Sequence, residues 1–417
     1  MKTAALSAVP LLVLLSSTAA FAVEPSVKIV LINTGGVEAG TDAFYGFKTA
    51  AKFWEQHLTA AQPTTITFAV GFSRLPPDVL GSTGSNYTTR SVQSVEGRIV
   101  SSGRTALDAQ VAGNLPGLTP GQYGVGALDV YTPGYTGIDP VNGPYGIDNA
   151  TRVYDTDGSI NNSYIALTTA NAKALGYGIA PGTVDASISF SSEFAFDFNP
   201  KDGITARTSD FIGVATHEMA HALGFVSGVD DYDFYGTGGP VPNEPCLNDG
   251  TLCKNLPAND FAFGQTLDLF RYSAAGALDW TTKTASYFSV DGGTTAYQNG
   301  LFSTGTFSGD SWQASHWKAP QVVDPATGEL VFSCRRPKLG IMNPYLCGGA
   351  NGIVTGLDLA ALDAIGYNTN FDVNTFVQST AGFSSYVPEP ASWGMMIAGF
   401  GLVGALQRRR RTGIVTA

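Results

Sequence analysis

The stretch Thr216-His217-Glu218-Met219-Ala220-His221-Ala222-Leu223-Gly224-Phe225 limits what this chain can be more than any other. The sequence holds only four histidines, and two of them stand here, four positions apart. A helix turns once in about 3.6 residues, so side chains at i and i+4 leave from one face. His217 and His221 would then present two imidazoles side by side, which suits a tetrahedral zinc ion. Glu218, next to the first, can reach a water held on that metal. Ser209 or Asp210 can cap such a helix, and Phe211, Val214, Met219 and Ala222 give it an apolar face.

The two ends of the chain speak of export. Met1-Lys2, an apolar run from about Ala4 to Ala20, and Ala20-Phe21-Ala22 read as a Sec signal peptide over residues 1–22. At the other end, Val387-Pro388-Glu389-Pro390 precedes the apolar run Ala391 to Leu406 and then Arg408 to Arg411. Such a run is marginal for spanning a bilayer, and the arginines would hold the tail on the cytoplasmic side, a transient membrane association. These three parts strongly resemble the PEP-CTERM sorting signal of Gram-negative bacteria, over residues 387–411. The resemblance implies an exosortase-type sorting enzyme as partner. It also implies a destination in the cell envelope, at the cell surface or outside the cell.

Composition agrees with export. Without the end segments, 18 Lys and Arg face 33 Asp and Glu, a net −15 that argues against nucleic acid as a partner. Only 14% of residues are charged, which fits a loop-rich secreted protein. In an exported chain disulfides are the default for the four cysteines. Three pairings are open, and proximity favours Cys246–Cys253 and Cys334–Cys347.

Along the chain, Val27 to Ile32 reads as a buried strand. A helix follows from a cap at Thr41 or Asp42 to about Ala60, with Phe44, Phe47, Ala51, Trp54 and Leu58 on its apolar face. His57 on that helix has no companion ligand and reads as an ordinary histidine. Thr64 to Val70 alternates as a strand, and residues 75–150 read as loops and short strands. Asp155-Thr156-Asp157-Gly158-Ser159-Ile160-Asn161 clusters oxygens that would suit Ca²⁺, but it lacks EF-hand spacing and a plain Asp/Gly turn explains it better. Asp185 to Phe190 alternates again and is expected to continue through Phe194, Phe196 and Phe198, as a strand or hairpin beside the site. Thr355 to Tyr367 reads as a capped helix. The order of elements gives a mixed α+β domain over residues 23–386.

A catalytic zinc takes three protein ligands and keeps an open position. Gly224 ends the motif helix, and three residues further on stands Ser227, a poor zinc ligand. Asp230, Asp231, Glu244 and His316 remain as candidates. His316 lies in Gln313-Ala314-Ser315-His316-Trp317-Lys318, and Leu339-Gly340-Ile341-Met342-Asn343-Pro344-Tyr345 follows it.

His217 to Phe225, then Ser315-His316-Trp317, then Met342-Asn343-Pro344 are similar, in this order, to the motif of leishmanolysin-like (gp63-like) metzincin metalloproteases. The resemblance covers roughly residues 205–366. It implies a metzincin-like catalytic domain with a mixed, twisted β-sheet, an active-site helix, a Met-turn and a C-terminal helix. It implies His316 as the third ligand of one catalytic Zn²⁺, Met342 as the Met-turn residue and residues 225–315 as a long insertion. The gap from His316 to Met342 is longer than is usual in that family, and no cysteine precedes His217 to mask the metal.

With three imidazoles on zinc, a bound water has a pKa near about 7. Glu218 would take its proton as that water attacks the carbonyl of a protein or peptide substrate, and pass it to the leaving amine. Tyr345, just past the Met-turn, is a candidate to donate its hydroxyl to the oxyanion. The reading is thus a secreted or cell-surface zinc endopeptidase. The rival is an exported structural or matrix protein with a degenerate metal site.

Overall fold

Every second residue of β1 (Val27–Gly35) starts buried, at Val27 and Ile29, as a strand covered on one face requires. The computed structural model describes residues 26–386, apart from 142, 242–243, 246–249, 324, 326, 329, 335–337 and 370. The leader, the sorting tail and Cys246 lie outside the described residues. From β1 the chain enters α1 (Asp42–His57), whose N-cap Thr41 accepts the amide of Phe44 at 3.2 Å. It returns as β2 (Thr64–Ser73), parallel to β1 with Ile29 opposite Ile66. Two more strands complete this sheet: β3 (Gly81–Ser85) and β4 (Ala186–Ser191).

The strand order is β1-β2-β4-β3. β4 runs parallel to β2, and β3 runs antiparallel to β4, with Thr83 opposite Ile188. β3 is therefore the antiparallel edge of an otherwise parallel sheet. The described residues form an α+β arrangement of this sheet, packed helices and several two-stranded ribbons.

Helix α2 (Phe211–Leu223) carries the histidine motif and lies in the core. Phe211 packs edge-on against Phe47 of α1 at 5.0 Å and tilts onto Phe190 of β4 at 4.6 Å. Trp54 of α1 is fully buried, and its indole N–H donates to the carbonyl of Thr216 at 3.2 Å. Burying such side chains stabilises by about 1.5–3 kcal/mol each, so the motif helix has little freedom to shift. Helix α3 (Val229–Tyr235) follows at once, and α4 (Gly356–Ala364) closes the domain. Tyr367, just beyond α4, donates its hydroxyl to the carbonyl of Leu223 at 3.0 Å and caps the end of α2.

Three expectations need correction. Residues 75–150 contain two helices, Val92–Ser102 and Ala106–Ala112. Ser91 caps the first and a Thr105–Asp108 capping box opens the second. Val92, Val95 and Ile99 bury one face of the first, a stripe too short to stand out among glycines and serines. The strand at Asp185–Phe190 does not run on through Phe198. It ends at Ser191, and Phe196–Asp197 form a separate short strand beside Ser209–Asp210. Helix α1 ends at His57, with Leu58 as its C-cap, rather than at Ala60.

Glu96, on the first of those helices, is buried, and its Oε1 has no hydrogen-bond partner. Burial pushes its carboxyl from an ordinary 4.5 up to about 7. Below pH 4.5 the group is neutral folded or unfolded; above pH 7 it is charged in both and the folded state bears the burial. Stability is therefore lost as pH rises through this window. Glu96→Gln should raise stability at pH 8 by on the order of 1–2 kcal/mol, and change it little at pH 4. Thermal melts of both proteins at the two pH values check this.

Candidate metal centre

Helix α2 places His217 and His221 on one face, and the loop before Trp317 brings His316 to them. The three Nε2 atoms form a nearly equilateral triangle: 3.1 Å between His217 and His221, 3.2 Å between His221 and His316, and 3.2 Å between His316 and His217. Tetrahedral zinc with Zn–N bonds of about 2.0–2.1 Å asks for N···N separations of about 3.3 Å. Of the described residues, these three are the group that can hold a metal; Asp230, Asp231 and Glu244 are outside it.

The outer nitrogens decide the chemistry of the inner ones. His217 Nδ1 lies 2.7 Å from the carbonyl of Ile341, His221 Nδ1 2.8 Å from that of Phe225, and His316 Nδ1 3.2 Å from that of Gln313. A carbonyl only accepts, so each Nδ1 carries the proton and each Nε2 turns a free lone pair inward. Burial keeps the rings neutral: it pushes His217 down to about 4, aided by the nearby Lys338 ammonium, and His221 to about 3. His316 is also held far below the ordinary histidine range, first by burial and then by the other two rings. Three converging neutral imidazoles fit zinc well.

Gly224 builds one of these contacts. Its φ of 122° lies in the left-handed region, and it lets Phe225 N–H return to the carbonyl of Ala220 at 2.9 Å. That turn aims the Phe225 carbonyl at His221. A Cβ at Gly224 would also meet Ile365 at 2.9 Å. Gly224→Ala should cost about 1–3 kcal/mol of stability and weaken metal retention at His221. A melt and a chelator-extraction assay read the two effects.

Glu218 is buried beside the triangle on the side of β3. Its Oε2 accepts the hydroxyl of Thr83 at 2.7 Å, and its main-chain carbonyl takes the same hydroxyl at 3.0 Å. Burial raises its carboxyl to about 7, against the lowering effect of Thr83. A Cβ at Gly81 would stand 2.8 Å from Glu218 Oε1, so only glycine lets the strand come this close. Gly-Ser-Thr-Gly-Ser over residues 81–85 gives no strand signal, and sequence reasoning missed it.

Met342 is fully buried and follows Ile341, whose carbonyl holds His217. Its carbonyl accepts from Trp317 N–H at 3.0 Å, which joins the Met342 turn to the residue after His316. Asp358 of α4 holds both segments, and sequence reasoning missed it too. Its carboxylate takes the amides of Ile341 at 2.9 Å and Met342 at 3.2 Å, and the Trp317 indole N–H at 2.8 Å. The only sequence trace of this role is the Thr355…Asp358 capping box.

Other expected residues stand elsewhere. Tyr345 packs on Phe332 at 4.5 Å, and its hydroxyl lies against the carbonyls of Ser333 at 3.3 Å and Pro320 at 3.4 Å. Its single proton is engaged there, so the oxyanion role is withdrawn. His57 stacks on Phe53 at 4.1 Å, away from the triangle. In the Asp155 loop it is donors that converge: Asn161 at 2.9 Å, Tyr135 at 3.2 Å, Asn162 at 3.2 Å and the Asp157 amide at 3.2 Å all point at the Asp155 carboxylate. That is a hydrogen-bonded turn rather than a Ca²⁺ cage. Cys334 and Cys347 form a disulfide; Cys253 is disulfide-bonded, while its expected partner Cys246 lies outside the described residues.

Comparison with known proteins finds the PEP-CTERM protein-sorting motif at residues 387–411. The chain is an exported protein sorted to the cell envelope or surface, through an exosortase-type sorting enzyme. No curated protein and no solved structure matches the chain. Among the described residues no helix is long and apolar enough to cross a membrane.

Proposed function

We propose that this exported protein is a zinc-dependent endopeptidase of the leishmanolysin-like metzincin type, made for the surface or surroundings of a Gram-negative cell. One observation carries the reading: three Nε2 lone pairs converge within 3.2 Å of one another, with each Nδ1 proton given to a main-chain carbonyl. Bound zinc would supply Lewis acidity, polarising the scissile carbonyl and acidifying the attacking water.

The chain's own residues account for the rest. Glu218, adjacent in sequence to the first ligand, would take the proton of the attacking water and return it to the leaving amine. Thr83 holds that carboxylate through its Oε2, leaving Oε1 for the proton. Among the described residues β3 is the edge of its sheet and runs past Glu218, and such an edge suits an extended peptide added as a further strand. That edge favours protein substrates over small esters or amides. The order Ser315-His316-Trp317, then a buried Met342 in the turn that follows, supports the metzincin assignment over other H-E-x-x-H hydrolases.

Casein or gelatin hydrolysis by the purified protein, beside Glu218→Ala, tests the reading. The wild type should cleave and the variant should not. Equal activity in both would overturn Glu218 as the base, and none in either would leave the structural-protein reading in its place.

A further inference from the structure

His316 comes from a loop, whereas its two partners stand on a packed helix. A loop ligand holds a metal tightly only if something fixes its main chain. The fixing group stands on α3, immediately past the turn that follows His221.

Asp230 reaches the two residues before His316. Its Oδ1 takes the amide of Ala314 at 2.6 Å; its Oδ2 takes the amide of Ser315 at 3.0 Å and the Ser315 hydroxyl at 2.5 Å. Ser315 Oγ in turn accepts the amide of Ser227 at 2.9 Å. The Ser227 hydroxyl donates to Asp268 at 2.6 Å, and Asp268 also accepts the amides of Gly228 at 2.7 Å and Gln265 at 2.9 Å. Arg271, almost wholly buried, donates to the carbonyls of Ser303 at 2.6 Å and Ala314 at 3.3 Å, and its charge acts on both aspartates. Among these contacts, those to Ala314 and Ser315 lie just before His316, and those to Ser227 and Gly228 lie in the turn between α2 and α3.

We propose that Asp230 is the positioning residue of the third metal ligand, a carboxylate clamp through which the insertion sets His316 against His217 and His221. This deepens the zinc-site reading and rests on it. Asp231, the next residue, is the built-in contrast: its carboxylate has no hydrogen bond among the described residues, although it shares the helix and the charge.

The test measures zinc release to an excess of a chromogenic chelator, on zinc-loaded full-length protein well below its melting temperature. Asp230→Asn keeps the side-chain shape but turns an amide donor on a site that offers only donors. It should release zinc about 10–100-fold faster than wild type, while Asp231→Asn should stay within about twofold. Ser315→Ala removes one of the three contacts and should fall between them; it also serves if Asp230→Asn does not fold. A role limited to fold stability would lower the melting temperature without changing release from the folded protein. Wild-type release rates in both Asp230→Asn and Ser315→Ala, or equal acceleration in Asp231→Asn, would overturn the proposal while the site itself stands. A wild type that binds no zinc would overturn the zinc-site reading instead.

Discussion

Peptide hydrolysis by Glu218→Gln should fall by about 10²–10⁴-fold, the range for a lost general base, with zinc retained at the wild-type level. Glutamine preserves the volume of a side chain that is only 5% exposed, and it can still accept the Thr83 hydroxyl. It cannot take a proton. A loss confined to kcat, with KM and metal content unchanged, identifies Glu218 as the base rather than as part of the packing. Matched steady-state assays and metal analysis on one preparation give both readings.

A larger loss is expected from His316→Ala, which should abolish activity and zinc binding together. Two imidazoles four residues apart bind zinc far more weakly than three, and among the described residues no other group stands ready to replace the missing one. The described residues show no alternative cluster, and Asp230 is already committed to the amides of Ala314 and Ser315. The fold should survive, because Trp317 and Asp358 still tie the loop to the Met342 turn. A preserved melting transition in the metal-free state, beside lost zinc, separates this result from simple unfolding.

The sequence shows some parts of this site plainly and hides others for physical reasons. The helix at Phe211–Leu223 was legible because its signals are local: an aspartate cap, two histidines on one face and a glycine to stop it. Strands β2 and β4 were legible from their alternation, and β1 from its apolar run. His316 was not legible by spacing, because 95 residues separate it from His221. It came instead from resemblance to an ordered set of motifs. Asp230 stood among the candidate ligands, and in the structure it holds the loop that carries the third histidine of the triangle. A one-dimensional reading cannot tell a carboxylate that binds an ion from one that binds two amides. Thr83, Gly81 and Asp358 went unseen because each acts only through a contact made across the fold, from a stretch of small residues or from an ordinary helix cap.

The most direct test of the account is the zinc content of purified wild-type protein and of His316→Ala, measured by elemental analysis after removal of loosely held metal. The account predicts one zinc per chain in the wild type and essentially none in the variant. A wild type without zinc, or a His316→Ala protein that keeps a full equivalent, would contradict it.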